Sequence, residues 1–325
     1  MPTPREELLA RTRRALEHAL DPILDLLRDA DVTDILLNPD GAVWIDSHRD
    51  GTRDTGRRLE PDRVAQFLSL LATAHDTEIT PDRPRLAAEL PLDGSRVQGF
   101  LPPVVSAPSA AIRKRPTQIY SLAELEAQGV LDAPAVAVLR DSLAERRNVV
   151  VSGATGAGKT TLTNALLAAM VELVDPSERF VVLEDTAELQ CAARNLLTLR
   201  TSDSVSLRDL VRDTLRVNPR RIVVGEVRGA EAFDLLKAWN TGHAGGVATL
   251  HANSAAAALL RLEHLTQEAG VPPQRGLIAE TVHRLVHIEG RGSARHVPEI
   301  LAVSGLSPDG SYALEPLYRR RVAAP

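Results

Sequence analysis

Residues 149–160 read VVVSGATGAGKT, a short apolar run followed by a glycine-rich turn that ends in lysine and threonine. The apolar run predicts a buried strand, and the Ala- and Leu-rich stretch from Thr160 to Val174 predicts a helix directly after the turn. In that setting the glycines let backbone N–H groups converge on an anion, and the helix amino terminus adds its positive dipole end. The stretch therefore predicts a loop that holds nucleotide phosphates.

Two side chains of this loop have predicted roles of their own. Lys159 is expected to reach the β- and γ-phosphates, and the Thr160 hydroxyl is expected to bind Mg²⁺. Only three of the 38 basic residues are lysine, so a lysine at this position is less easily explained as background. ATP and Mg²⁺ are the predicted cofactors. The predicted nucleotide-binding residues are Gly153, Ala154, Thr155, Gly156, Ala157, Gly158, Lys159, Thr160 and Thr161.

Further apolar runs extend the pattern along the second half of the chain. FVVLED (180–185), IVVGEV (222–227) and VATLH (247–251) alternate with helical stretches. Continuous β-branched runs are typical of strands covered on both faces, and the alternation favours a parallel α/β sheet. The clearest later helix is expected over 254–268, capped by Ser254. The fold class is therefore α/β, with the phosphate loop on a parallel sheet.

The first part of the chain predicts a smaller α+β domain. Pro39-Asp40-Gly41 is a hairpin signal, while Pro116 and Pro134 flank a stretch typical of a linker with a short helix. The predicted domains are thus 1–115, a linker over 116–134, and the P-loop domain over 135–325. The expected elements of the first domain are helices over 5–28 and 61–75 and strands over 34–38, 42–46, 96–101 and 109–114.

Composition limits the remaining classes. A net charge of -5 gives no global bias toward nucleic acid or acidic membranes. The single cysteine, Cys191, excludes an internal disulfide and a four-cysteine zinc module, and it fits a reducing compartment. No apolar run approaches the ~18–20 residues that span a bilayer. The apolar stripe of the 5–28 helix could lie on a membrane, but its mixed charges favour packing within its own domain.

Hydrolysis requires carboxylates in addition to the loop. Glu184 and Asp185 follow an apolar strand at the sheet edge where ligands bind, although Asp185 could equally cap a helix. The run IVVGEV resembles a Walker B strand in which Gly225 replaces the usual Mg²⁺-binding aspartate. Glu226 is then expected to orient water, with a structural salt bridge as its alternative. The predicted Mg²⁺ ligands are Thr160, Glu184 and Asp185.

Two histidines flank a glycine-rich turn in TGHAGGVATLHAN (241–253). A metal site is conceivable, yet no cysteine or paired carboxylate completes one. A histidine is more often structural than catalytic. The position of His251 relative to the phosphate loop and Glu226 instead suggests that this residue senses the γ-phosphate.

These motifs together resemble the four boxes of the secretion-superfamily ATPases, which are hexameric ring motors of type II and type IV secretion, conjugation and pilus machines. The boxes are the phosphate loop, EDTAELQ, VVGEVRGAEAFD and TGHAGGVATLHANSA. The early stretches VTDILLNPDGAVWID and AELPLDGSRVQGFLPPVVSAPSAAIRKR are similar to the amino-terminal, PAS-like domain of the conjugal-transfer (TrbB-type) branch. The resemblance covers essentially the whole chain, and it implies a RecA-like P-loop motor domain after the amino-terminal domain.

The resemblance implies roles that spacing does not give. It implies a homohexamer on inner-membrane components of a transfer apparatus, located in the cytoplasm at the inner face of the membrane. It also implies that arginines of the first domain approach the γ-phosphate; the matching positions are Arg96, Arg113 and Arg115. Without the resemblance, a solvated basic strand or an anionic-lipid contact is the preferred interpretation of IRKR (112–115) over a role in charge stabilisation.

The resemblance implies an ATP-hydrolysing motor of type IV secretion or conjugal transfer, and three alternatives to that function stay open at this point. A pilus or Tad-type ATPase would share the chemistry and differ in its partners. A nucleotide switch that does not hydrolyse is supported by the missing aspartate. Direct action on nucleic acid would need an aromatic and basic channel, which 3% aromatic residues and an acidic net charge do not favour, so such binding is not expected.

Overall fold

The computed structural model describes residues 4–47, 49–115, 119–202 and 204–321. The chain divides into two compact units, residues 1–118 and 119–325. Part of the expected linker, 119–134, thus belongs to the second unit, while residues 116–118 lie outside the described ranges. Within the described residues no helix is both long and apolar enough to cross a membrane.

The first unit is an antiparallel sheet with helices. Its described strands form one sheet in the order β3-β2-β1-β6-β5-β4. Leu16 of α1 and Phe67 and Leu71 of α3 are fully buried in one core with Ile35 and Ile45 of the sheet. The helices are α1 (Pro4–Leu20), α2 (Leu24–Arg28) and α3 (Pro61–Ala74), and the strands are β1 (Val32–Leu37), β2 (Ala42–Ser47), β3 (Arg53–Arg58), β4 (Arg85–Glu89), β5 (Arg96–Phe100) and β6 (Ser109–Arg113).

Two features of this unit differ from the sequence prediction. The helix expected over 5–28 is interrupted by a 3₁₀ turn at Asp21–Ile23, because Pro22 has no backbone N–H to continue the helical ladder. Strands β3 and β4 were not expected. Both are edge strands, and β3 (RDTGRR) is mostly exposed, so it carries no apolar alternation.

The second unit contains the predicted parallel strands in a larger sheet. Its described elements are, in helices, α4 (Leu122–Ala127), α5 (Ala133–Ala144), α6 (Lys159–Leu173), α7 (Leu207–Thr214), α8 (Glu231–Asn240), α9 (Ala255–Gln267) and α10 (Arg275–Thr281). Its strands are β7 (Val149–Ser152), β8 (Arg179–Glu184), β9 (Asn195–Arg200), β10 (Arg221–Val224), β11 (Val247–Leu250), β12 (Arg284–Glu289), β13 (His296–Leu306) and β14 (Tyr312–Arg319).

The sheet order is β14-β13-β12-β7-β11-β10-β8-β9, and the pairings from β12 to β9 are parallel. One core lies on each face: Val150 and Val181 belong to one, and Val149 and Phe180 to the other. This confirms the prediction of an α/β class with strands covered on both faces. Because parallel strands end at the same edge, the residues after β7, β8, β10 and β11 meet there.

Residues 119–131 pack on this sheet domain. Helix α4 begins at a capping box in which Ser121 and Glu124 bond each other's backbone N–H. Leu122 and Leu125 are buried in the same core as the strand residue Val149. The helix that the sequence placed in a linker is therefore held by the core of the second unit.

Candidate nucleotide site

The glycine-rich loop joins β7 to α6, as the sequence predicted. Gly158 is the residue before the helix and has a φ of +99°, a left-handed conformation that a side chain would strain. An ideal Cβ on Gly153 would lie 2.3 Å from the Ile288 carbonyl oxygen of the neighbouring strand β12. Both positions thus require glycine, one for its backbone conformation and the other for close packing.

Lys159 lies inside this loop and is only 8% exposed. Its Nζ donates to the carbonyl oxygens of Gly153 and Ala154, each at 3.0 Å, and lies 3.2 Å from His251 Nδ1. An ammonium has donors only, so Nδ1 accepts and the neutral ring carries its proton on Nε2. The structure thereby brings together the lysine and histidine that the sequence singled out.

The contacts continue from the histidine to the carboxylate after β10. His251 Nε2 lies 2.5 Å from Glu226 Oε1. The other oxygen, Glu226 Oε2, accepts from Arg228, whose second amino group lies 3.8 Å from Asp185. The bond to Glu226 raises the pKa of Arg228 above its ordinary value. A continuous series of polar contacts therefore runs from Lys159 to Asp185.

Glu184 has a structural role in the site. It is 3% exposed. Its Oε1 accepts from the backbone N–H groups of Glu188 and Leu189 at 2.9 and 2.7 Å, which holds the turn after β8. Burial raises the pKa of this carboxyl, against the opposing effect of the two N–H bonds. Among the described residues no helix begins at Asp185, so the helix-cap alternative for that residue is wrong.

The turn that Glu184 holds carries Glu188, a carboxylate for which the sequence predicted no role. Thr160 Oγ1 donates to Glu188 Oε2 at 3.1 Å. Asn164 of the same helix accepts from the Gln190 N–H at 2.8 Å, which fixes the turn against α6. Glu188 is therefore the carboxylate that directly contacts the predicted Mg²⁺-binding hydroxyl. The available signal was its place in the run of acidic residues after β8.

The glycine in place of the usual aspartate has a packing explanation. An ideal Cβ on Gly225 would lie 3.1 Å from Glu184 Cγ and 3.5 Å from its Oε1. The Cβ of an aspartate at this position would be in tight contact with the glutamate side chain. The glutamate at the end of β8 thus crowds the position from which a carboxylate after β10 would extend.

His243 lies at the opposite end of β11 from His251. Its Nδ1 is 3.0 Å from the Pro219 carbonyl oxygen, before β10. The structure therefore does not bring the two histidines together. Within the described ranges no group of three or more His, Cys, Asp or Glu residues could hold a metal ion.

The three predicted arginines of the first unit lie at one end of its sheet. Arg96 and Arg113 are directly opposite each other on β5 and β6, flanked in register by Glu89 and Asp34. Arg113 Nε lies 3.9 Å from Asp34 Oδ1. The Arg115 side chain packs beside Gly94, 3.5 Å from where a Cβ on that glycine would lie. All of the other predicted site residues belong to the second unit.

A glycine-rich loop on a parallel sheet, with lysine, threonine and carboxylates at the carboxyl edge, defines a P-loop nucleotide-binding domain. Residues 73–289 match the family model of the type II/IV secretion system proteins, and the chain belongs to this family. That result confirms the resemblance inferred from the four boxes.

Individual relatives agree with the assignment. The chain is 42% identical to a probable conjugal transfer protein TrbB of Sinorhizobium fredii, covering 95% of both chains. It is 34% identical to the type IV secretion system protein PtlH of Bordetella pertussis, covering 85% of this chain and 91% of PtlH. The fold matches that of the Legionella pneumophila ATPase DotB with a TM-score of 0.63 and 22% identity, covering 87% of this chain and 80% of DotB.

Proposed function

We propose that this chain is an ATP-hydrolysing motor of a type IV secretion or conjugal transfer system, which powers pilus assembly or substrate transfer. The observation that carries the proposal is the series of contacts from Lys159 through His251 to Glu226. It joins the phosphate-binding loop to a carboxylate suited to orienting water. The conjugal transfer and type IV secretion names of the relatives support the system to which the motor belongs.

The chemistry of the loop fits a triphosphate. The Lys159 ammonium already lies within the loop on two carbonyl oxygens, and a phosphate would offer it stronger, charged acceptors. The loop N–H groups and the start of α6 supply further donors and positive potential. Residues 153–161 would therefore hold the phosphates, as expected from the sequence.

For Mg²⁺, the residues present also fit. Magnesium keeps most of its ligands as water and phosphate oxygens and needs only one or two protein oxygens. Thr160 Oγ1 with Glu188 Oε2 would supply these directly or through water. Glu184 would act by holding the turn and Asp185 by adding negative charge, so Glu188 extends the originally predicted set of Thr160, Glu184 and Asp185.

Glu226 would orient the attacking water and accept its proton. Both of its oxygens have a close polar contact, one with His251 and one with Arg228. For Glu226 to face water, at least one of these contacts must open. His251 contacts both Lys159 and Glu226, so it can report the γ-phosphate at the lysine to the carboxylate that acts on water.

The ring and its surroundings complete the proposal. The chain would form a homohexamer in which the first unit, a PAS-like domain, closes on the nucleotide and supplies Arg96, Arg113 and Arg115 to offset charge in the transition state. The six-stranded antiparallel sheet of that unit is compatible with such a domain. The motor would work in the cytoplasm, docked on membrane components at the inner face, with peripheral contact to the membrane itself.

Phosphate release at steady state, with and without Mg²⁺, tests the proposal. Lys159→Ala should reduce turnover to background, while Lys237→Ala, an exposed lysine on α8, should match the wild type. Chelation of Mg²⁺ should also stop turnover. Normal turnover in Lys159→Ala would contradict the assigned site, and a monomer in sedimentation with ATP would contradict the ring.

A second candidate, a nucleotide switch without significant hydrolysis, is favoured by one observation. Both carboxylate oxygens of Glu226 are in close contact with other side chains, those of His251 and Arg228. If nucleotide binding leaves those contacts closed, no carboxylate is available for water. Binding of ATP without phosphate release by the wild type would select this alternative.

A further inference from the structure

The turn between β12 and β13 lies against the phosphate loop and has no role in the proposal above. This turn, residues 290–295, reads GRGSAR. Arg291 Nη2 donates to the Thr155 carbonyl oxygen and Arg295 Nη2 donates to that of Gly156, both at 3.4 Å. Two guanidinium groups therefore contact adjacent residues of the loop that binds phosphate.

Arg295 makes the closer approach of the two. An ideal Cβ on Gly158 would lie 2.7 Å from both Cδ and Nε of Arg295. Gly158 immediately precedes α6, whose first N–H groups form part of the phosphate-binding surface. The absence of a side chain at Gly158 thus makes room for Arg295 beside the start of the helix.

The backbone of the turn is closely packed on itself, so both arginines extend from a constrained backbone. Gly290 has a φ of +83°, and a Cβ there would lie 2.2 Å from the Ala294 carbonyl oxygen. Across the mouth of the turn, Glu289 pairs with His296 at 3.2 Å. A closed turn lowers the entropy lost when its side chains become fixed on a ligand.

The side from which the turn approaches indicates the part of the nucleotide that it would meet. In the sheet order, β7 lies between β12 and β11, and β10 follows β11. His251 and Glu226, which follow β11 and β10, would face the γ-phosphate. The arginines reach the loop from the opposite side of β7, that of β12, away from the residues that would face the γ-phosphate.

We propose that Arg291 and Arg295 bind the α-phosphate end of the nucleotide, the part that ATP and ADP share. The inference rests on the proposed function, since that function assigns a nucleotide to the loop. A guanidinium presents its N–H donors in a planar fork, a geometry that suits phosphate oxygens. The two arginines set how tightly either nucleotide is held, and they do not distinguish ATP from ADP.

Calorimetric titration with ADP, and with ATP in a Glu226→Gln background that keeps the ATP intact, tests this proposal. Arg295→Gln should weaken the binding of both nucleotides by about tenfold, and Arg291→Gln, which is more exposed, by about threefold. Arg295→Lys should recover part of the affinity. The matched control is Arg320→Gln, because Arg320 also donates to carbonyl oxygens, those of Gly129 and Val130, and should leave both affinities unchanged.

Three outcomes would overturn the proposal. Unchanged affinities in Arg295→Gln, with or without a lower melting temperature, would reduce the arginines to a structural clasp. A larger loss for ATP than for ADP would move them to the γ-phosphate. If the wild type binds neither nucleotide, the proposed function and this inference fail together. If the wild type hydrolyses ATP and the arginine variants keep its nucleotide affinities, this inference alone fails.

Discussion

The two ends of the parallel sheet in the second unit carry the same kinds of side chain for different purposes. At the carboxyl ends, His251 contacts both Lys159 and Glu226 beside the phosphate loop, and Arg228, which bonds to Glu226, is half exposed. At the amino ends, Arg221 is 1% exposed and its Nε donates to Glu178 at 2.9 Å.

The amino-end cluster is fixed by backbone as well as by charge. Arg221 donates to the Gly245 carbonyl oxygen at 3.1 Å, and a Cβ on Gly245 would lie 2.3 Å from the same guanidinium. Glu178 also accepts from Arg146 at 2.6 Å. Arg221, Glu178 and Arg146 thus bond to one another or to backbone within the fold. The same residue types therefore stand at both ends of the sheet. What distinguishes the functional end is that its side chains can exchange their partners for a ligand.

Glu226→Gln is expected to produce the largest effect at the carboxyl end. Turnover should fall by about 10²–10⁴-fold, because the amide cannot accept the proton of water. The melting temperature should stay close to that of the wild type. Phosphate release and thermal unfolding measured on the same preparation check both statements, and an active Glu226→Gln variant would remove the catalytic role.

Glu178→Ala probes the amino end. The free energy of unfolding should fall by about 3–5 kcal/mol, since the buried Arg221 guanidinium loses its carboxylate. Denaturant unfolding measures this loss. Turnover per folded molecule should be retained under conditions where the variant is folded. Lost turnover with normal stability would mean that this end also acts in function.

Gly225→Asp tests whether Glu184 excludes a second carboxylate. The clash with the Glu184 side chain should cost about 1–3 kcal/mol of unfolding free energy. Adding Glu184→Ala should recover part of that loss, because it vacates the space, and a double-mutant cycle isolates the coupling. Simple additivity of the two single changes would show that the residues do not compete.

Glu184→Gln should produce the smallest effect, a change in the free energy of unfolding that depends on pH. Burial raises the pKa of Glu184, so the folded state holds this proton more tightly than the unfolded state does. Its contribution to stability is present below the ordinary pKa and is lost as the pH rises through the raised value. Unfolding curves from pH 4 to 8 should therefore show Glu184→Gln gaining on the wild type as pH rises.

A part of the fold could be read from the sequence because it depends on local pattern. The runs at 149–153, 180–185, 222–227 and 247–251 are continuous and apolar, as strands buried on both faces must be, and all four form parallel strands. Edge strands such as β3 escaped prediction, since exposure removes the alternation on which prediction depends. Pro22 broke a helix whose apolar spacing runs on across it.

The candidate site shows the same division between features that depend on local sequence and features that depend on tertiary contacts. The sequence alone determined the phosphate loop, because glycine conformation, lysine and threonine act within a few consecutive residues, and it determined membership of the secretion family. Only the tertiary structure separated His243 from His251, placed Glu188 on Thr160 and put Arg295 against Gly158. Those contacts join residues distant along the chain, or opposite ends of one strand, and strand order and side-chain packing decide them.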